Sequence, residues 1–190
     1  TGTITDNDGA PALTINDVTR NEAAGTISFT VTLDAPSALA VSVDYAAASG
    51  TATSGADFGA GVDGLSGTLT FGAGVTSQTI TLSIVDDAVF ENSESFVINL
   101  ANAVNAVIGD GQGVGTIRDD GTGSGGTDDD TPALSVSGAA VVEGTDNHAV
   151  FTVSLSNAST SDVSFNLALA NSSATGGGVD YGTGGAGNLQ

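Results

Sequence analysis

The chain has 190 residues, with 22 Asp and Glu against two Arg and no Lys, giving a formal charge of −20. That balance excludes nucleic acid as a natural partner, because phosphate binding needs Lys and Arg, and it argues against anionic membrane surfaces. Cys is absent, which removes disulfides and thiolate metal sites, and no apolar run approaches the roughly 20 residues that a membrane helix needs.

In chain order, residues 2–8, GTITDND, resemble GTIRDDG at 115–121, so residues 1–8 read as the tail of a preceding repeat. A complete repeat follows over residues 9–120. Alternating apolar residues predict its strands: Leu13–Ile15, then Ile27, Phe29, Val31 and Leu33 on one face, then Val41, Val43 and Tyr45. Leu69–Phe71 comes next, followed by Ile80, Leu82 and Ile84, then Phe96, Ile98 and Leu100, and finally Val114–Ile117. GDGQGVG at 109–115 reads as a glycine-rich turn into that last strand, since no helix follows to make it a dinucleotide fingerprint. No helical period appears, and 28 Gly with abundant Thr, Ser and Val suit tight turns. The expected fold is an all-β, immunoglobulin-like sandwich of seven antiparallel strands, in tandem.

Residues 121–131, GTGSGGTDDDT, read as a Gly/Ser/Asp linker that is flexible in principle. PALSV at 132–136 then matches PALTI at 11–15, FTVSL at 151–155 matches FTVTL at 29–33, and Glu143 matches Glu22. Residues 132–190 are therefore the N-terminal half of a second repeat. Half a sandwich leaves open edges, so continuation past Gln190, or a partner chain, is expected to complete it, with continuation favoured.

The acids are not spread evenly over this strand map. Taking consecutive strands as antiparallel, Glu22, Asp57, Asp63, Asp86, Asp87, Glu91, Glu94, Asp119 and Asp120 all fall at one pole of the complete repeat. Asp34 and Asp110 fall at the other, and Asp17 and Asp44 lie in or near strands. Like charges about 4 Å apart repel by about 4 kcal/mol at the effective dielectric of a protein surface. Such crowding makes sense around a hard cation. Ca²⁺ takes oxygens from several loops in flexible geometry, Mg²⁺ prefers a tighter octahedron with its waters, and Zn²⁺ would want His or Cys.

NEAAGTISFTVTL, GTATSGADF, VDDAVFENSESFVINL and GTIRDD together resemble the Calx-β domain, known from sodium/calcium exchangers, integrin β4 and bacterial surface proteins. The resemblance covers about residues 11–120 and, for a first half, 132–190. It implies that Glu22, Asp57, Asp86, Asp87, Glu91, Glu94, Asp119 and Asp120 ligate calcium. Ala88 and Gly121 stand where the exchanger domain has further aspartates, which implies a smaller ion cluster. Secondary candidates are Asp6 and Asp8, of the previous repeat's site or the junction, and Glu143 and Asp180 of the incomplete second site. Asp129 and Asp130 are further candidates, where a solvated acidic linker and a junction calcium site are both open readings.

A catalytic reading is poor. His148 is the single His, and Glu91 with Glu94 lack an aromatic sugar platform beside them. The expectation is a non-enzymatic, calcium-binding extender or stalk of a long secreted or cell-surface protein of the bacterial adhesin type. Its partners would be calcium ions and neighbouring repeats, with any adhesion ligand carried by another module. A cytosolic calcium-sensing regulatory domain and a ligand-binding accessory module of a secreted enzyme are the alternatives.

Overall fold

The computed structural model describes residue 2 and residues 9–60, 65–126, 129–142, 145, 148–168 and 170. Asp6, Asp8, Asp63, Asp128, Glu143 and Asp180 lie outside the described residues. Among those described there is no α-helix, and the strands are β1 Ala12–Ile15, β2 Val18–Asn21, β3 Thr26–Leu33, β4 Val41–Ser49 and β5 Ser66–Phe71. They continue with β6 Ser77–Ser83, β7 Val89–Phe90, β8 Glu94–Val104, β9 Val107–Ile108 and β10 Gln112–Arg118. The second repeat adds β11 Leu134–Val136, β12 Val153–Leu155 and β13 Ala158–Ser159.

The complete repeat is a sandwich of two sheets, ordered β6-β3-β1-β9 and β2-β10-β8-β4-β5. All seven expected strands are present, and the first is divided between the sheets. β1 pairs antiparallel with β3 in one sheet, and β2 runs parallel to β10 in the other. Asn16 and Asp17 make the crossing: the Thr30 N–H donates to Asn16 Oδ1 at 2.6 Å, and the Val114 N–H donates to Asp17 Oδ1 at 2.7 Å. Two side chains thus accept the backbone donors that a continuous strand would have satisfied.

Inward-facing residues of both sheets interdigitate, as the period of two demands. Phe29, Phe58, Phe71 and Phe96 are fully buried together with Leu13, Ile27, Val31, Val41, Val43 and Ile98. The Phe58 ring stacks on Phe96 at 4.0 Å between centroids, and Phe29 meets Phe96 edge-on at 5.9 Å.

The second repeat repeats the register of the first. β11 pairs with β12 as Leu134↔Leu155, the counterpart of Leu13↔Leu33. Its apolar side chains are open, however: Leu134 and Phe165 are both 44% exposed, where Leu13 and Val43 are wholly buried. β13 pairs parallel with β7, Ala158 opposite Val89 and Ser159 opposite Phe90. Asn92 Nδ2 donates to Ser161 Oγ at 2.6 Å beside it. The second repeat therefore touches the first at the loop between β6 and β8.

Candidate metal centre

Strand period delivers two carboxylates to the mouth of the sandwich. On β8, Glu94 is in phase with the core residues Phe96, Ile98 and Leu100. Beyond β10, Asp119 continues the inward phase of Gly113, Gly115 and Ile117 and is 2% exposed. Glu22 opens a single 3₁₀ turn, Glu22–Ala24, whose N-cap Asn21 accepts the Ala23 N–H through Oδ1 at 3.1 Å. That turn leaves Glu22 5% exposed.

Asp57 is placed by its neighbour. Phe58 is fixed in the core and bridges to Ser54 and Ile84. Around it the Gly59 N–H donates to Ser83 O at 2.9 Å and the Val85 N–H to Asp57 O at 3.0 Å. The Thr53 N–H donates to Asp57 Oδ2 at 2.5 Å. In the loop from β6 to β8, the Val89 N–H donates to Asp87 Oδ1 at 2.7 Å and the Glu91 N–H to Asp119 Oδ2 at 2.7 Å. The Asp87 N–H reaches Glu22 Oε1 at 3.4 Å.

These loops bring the acids into two trios. Glu22, Asp119 and Asp130 form one, and Asp57, Glu91 and Glu94 the other, each with a set of carboxylate oxygens within 4.8 Å of one another. Glu22, Asp57, Asp87, Glu91, Glu94 and Asp119 line a common pocket of about 10 Å³, room for about one water-sized sphere. Asp87 is exposed at its rim, and Asp86, the preceding residue, is exposed as well. Asp120 points to solvent, accepts the Thr122 N–H at 3.0 Å and lies 4.0 Å from the Arg118 guanidinium. Asp129 is exposed, and Asp130 half-buried within the first trio.

Proton affinities report the crowding. Burial pushes the Glu22 carboxyl up to about 8, with the charges of Asp119, Asp86 and Asp87 adding to it and the Asp87 N–H opposing it. Glu94 rises to about 7, first by burial, then by the charge of Asp57, a hydrogen bond with Asp57 and the charge of Glu91. Glu91 is raised by burial and then by Asp57, Asp87 and Asp119. Asp120 is held low by the Thr122 hydroxyl first, with the Thr122 N–H and Arg118 helping. Buried carboxylates that prefer a proton will also accept a cation in its place. The donors are all hard oxygen, which fits Ca²⁺ or Mg²⁺ and not a softer metal.

The chain order of the acids pointed to the pole. It did not separate the inward Asp119 from the outward Asp120, although the period of two from Ile117 carries that signal. Asn92 also lines the pocket, and neither it nor the cap Asn21 stood out among the carboxylates.

A family model of the Calx-beta domain matches residues 6–121 and 126–190. The sodium/calcium exchanger Calx of Drosophila melanogaster is 41% identical over 66 residues, 35% of this chain and 6% of the exchanger. The chain thus spans a small fraction of that relative. Among solved structures, the apo form of the Calx CBD1 domain is similar at 28% identity and a TM-score of 0.53, covering 58% of this chain and 97% of that one. The calcium-binding domain CBD12 of CALX1.1 is similar at 29% identity and a TM-score of 0.51, covering 57% of this chain and 46% of that one.

Proposed function

This chain belongs to the Calx-beta domain family, and on that footing we propose that its acidic pole binds calcium and stiffens a tandem array of repeats. The ligands we assign are Glu22, Asp57, Asp87, Glu91, Glu94 and Asp119, with the exposed Asp86 and Asp120 as further ligands outside the pocket. The observation that carries the reading is the pair of carboxylate trios at the pole where the chain passes to the next repeat. Calcium there neutralises charges that otherwise repel across a buried mouth. Three or more carboxylates, backbone carbonyls and water supply the six to eight oxygens that Ca²⁺ takes.

The array would serve as an extender of a longer secreted or cell-surface protein, carrying another module outward. Sites of the extracellular-module class, with Kd on the order of 10⁻⁴–10⁻³ M, stay filled in that setting. An ion that binds only the folded, docked form stabilises it by mass action. The test is thermal melting of the full chain in calcium and in EDTA. Calcium is expected to raise Tm strongly, and Asp86→Asn with Asp87→Asn to remove much of the rise. Identical curves in calcium and EDTA would sink the proposal.

Similarity to exchanger domains favours a second reading, a calcium sensor that changes shape on binding. Calorimetry separates the two. Submicromolar affinity with a large change in shape supports the sensor, and affinity of about tens of micromolar or weaker supports the extender.

A further inference from the structure

Residues 121–126, which follow the complete repeat, form a strap laid on it. From the end of β10 the chain turns at Gly121 and runs along the free edge of β2. There the Asn21 N–H donates to Ser124 O at 3.2 Å, Ser124 Oγ donates to Thr19 O at 3.2 Å, and Arg20 Nη1 donates to Ser124 Oγ at 3.3 Å. The segment covers an edge that would otherwise expose unpaired backbone groups. Asp129, further along the chain, bridges to Asp120. Close contact selects its glycines. A Cβ on Gly123 would stand 2.8 Å from Asn21 N, at a φ of +94°, and one on Gly126 would stand 2.7 Å from Asn21 Oδ1.

Next to that bridge, Asp130 lies against Asp119. The Asp130 N–H donates to Asp119 Oδ1 at 3.3 Å, and the carboxylates of Glu22, Asp119 and Asp130 converge. From the other side, Asn157 Nδ2 of the second repeat donates to Asp130 O. Gly121 itself cannot contribute a carboxylate. Its φ of +70° makes the turn, and a Cβ there would meet Asp129 Cβ at 3.3 Å.

We propose that Asp130 is a direct ligand of the cation held by Glu22 and Asp119, and that the glycine strap positions it. This deepens the calcium reading above and rests on it. Two of the three carboxylates are more than nine-tenths buried, and a cation among the converging oxygens would offset like charges brought together away from solvent. Calcium is the cation that a similar solved domain, the calcium-binding domain CBD12 of CALX1.1, is named for. Asp130 then supplies from the inter-repeat segment the carboxylate that the turn at Gly121 excludes. Asp129, one residue away and exposed, takes no part.

The test is calorimetric titration of the full chain with calcium, comparing the unaltered protein with Asp130→Asn, Asp129→Asn and Gly123→Ala. Asp130→Asn is expected to weaken one class of sites by about tenfold or more, and Asp129→Asn by about twofold at most. Gly123→Ala should weaken the same class although every carboxylate is intact. Amide exchange at Asn21, whose N–H is held by the strap, gives a second measurement. Its protection should rise with calcium in the unaltered chain and fail to rise in Asp130→Asn. If the unaltered chain binds no calcium, the calcium reading itself falls. If calcium binds and Asp130→Asn keeps both affinity and Asn21 protection, the Asp130 assignment alone is overturned. Loss in Asp130→Asn with none in a folded Gly123→Ala would leave the ligand and remove the positioning role of the strap.

Discussion

Glu22 and Glu94 set the pH behaviour of the site. An unfolded Glu titrates at about 4.5, whereas folded Glu22 titrates at about 8 and Glu94 at about 7. Between those limits the native state holds more protons than the unfolded state, so stability falls as pH rises. In EDTA, Tm is therefore expected to drop from pH 5 to pH 8. In calcium the ion replaces those protons, so the increment that calcium adds should grow over the same interval. Melting curves at both pH values, with and without calcium, check the sign; an EDTA curve that rises with pH contradicts it. At this scale the sequence was legible wherever alternation reached an acid. Glu94 follows the phase of Phe96 and Asp119 that of Ile117. Asp130 was less legible, because it lies beyond the turn at Gly121 and beside the Asp120–Asp129 bridge, neither of which follows a period.

At the level of elements, Phe58 is the hinge between core and site. Its ring stacks on Phe96 and its backbone fixes Asp57. Phe58→Ala should destabilise the repeat by about 3–5 kcal/mol and weaken calcium binding as well. Val75→Ala, at a site 40% exposed, should stay within about 0.5 kcal/mol. Urea titration reads the first effect and calorimetry the second; a Phe58→Ala protein with unchanged affinity would detach Asp57 from its anchor. Alternation located every long strand, because one face of each is buried. It could not show the division of the first strand, since Asn16 and Asp17 look like an ordinary turn until they accept donors from both sheets. Nor could it show that β10 begins at Gln112. Gly113 and Gly115 read as a turn, yet a Cβ on Gly115 would lie 2.6 Å from the Phe96 ring, so the glycine makes space for the ring.

For the whole molecule the governing quantity is the charge of −20. Without calcium, self-repulsion opposes compaction, and it is screened over about 30 Å at 0.01 M salt but about 3 Å at 1 M. In EDTA, raising NaCl across that range should raise Tm, and in saturating calcium the gain should be much smaller; equal gains would mean that the acidic pole is not the origin of the repulsion. The composition showed this charge at once, while only the strand order showed that it gathers at the end facing the next repeat. The parallel pairing of β2 with β10 adds a mechanical consequence. Val18 to Asn21 stand opposite Gly115 to Arg118, near the entry and the exit of the repeat. Tension applied to the two ends of the chain pulls these strands past each other along their length. Their hydrogen bonds are then loaded together instead of being unzipped one at a time. Such a clasp yields at a higher force than an antiparallel pair peeled from its end, and the buried carboxylates of Glu22 and Asp119 sit immediately beyond it.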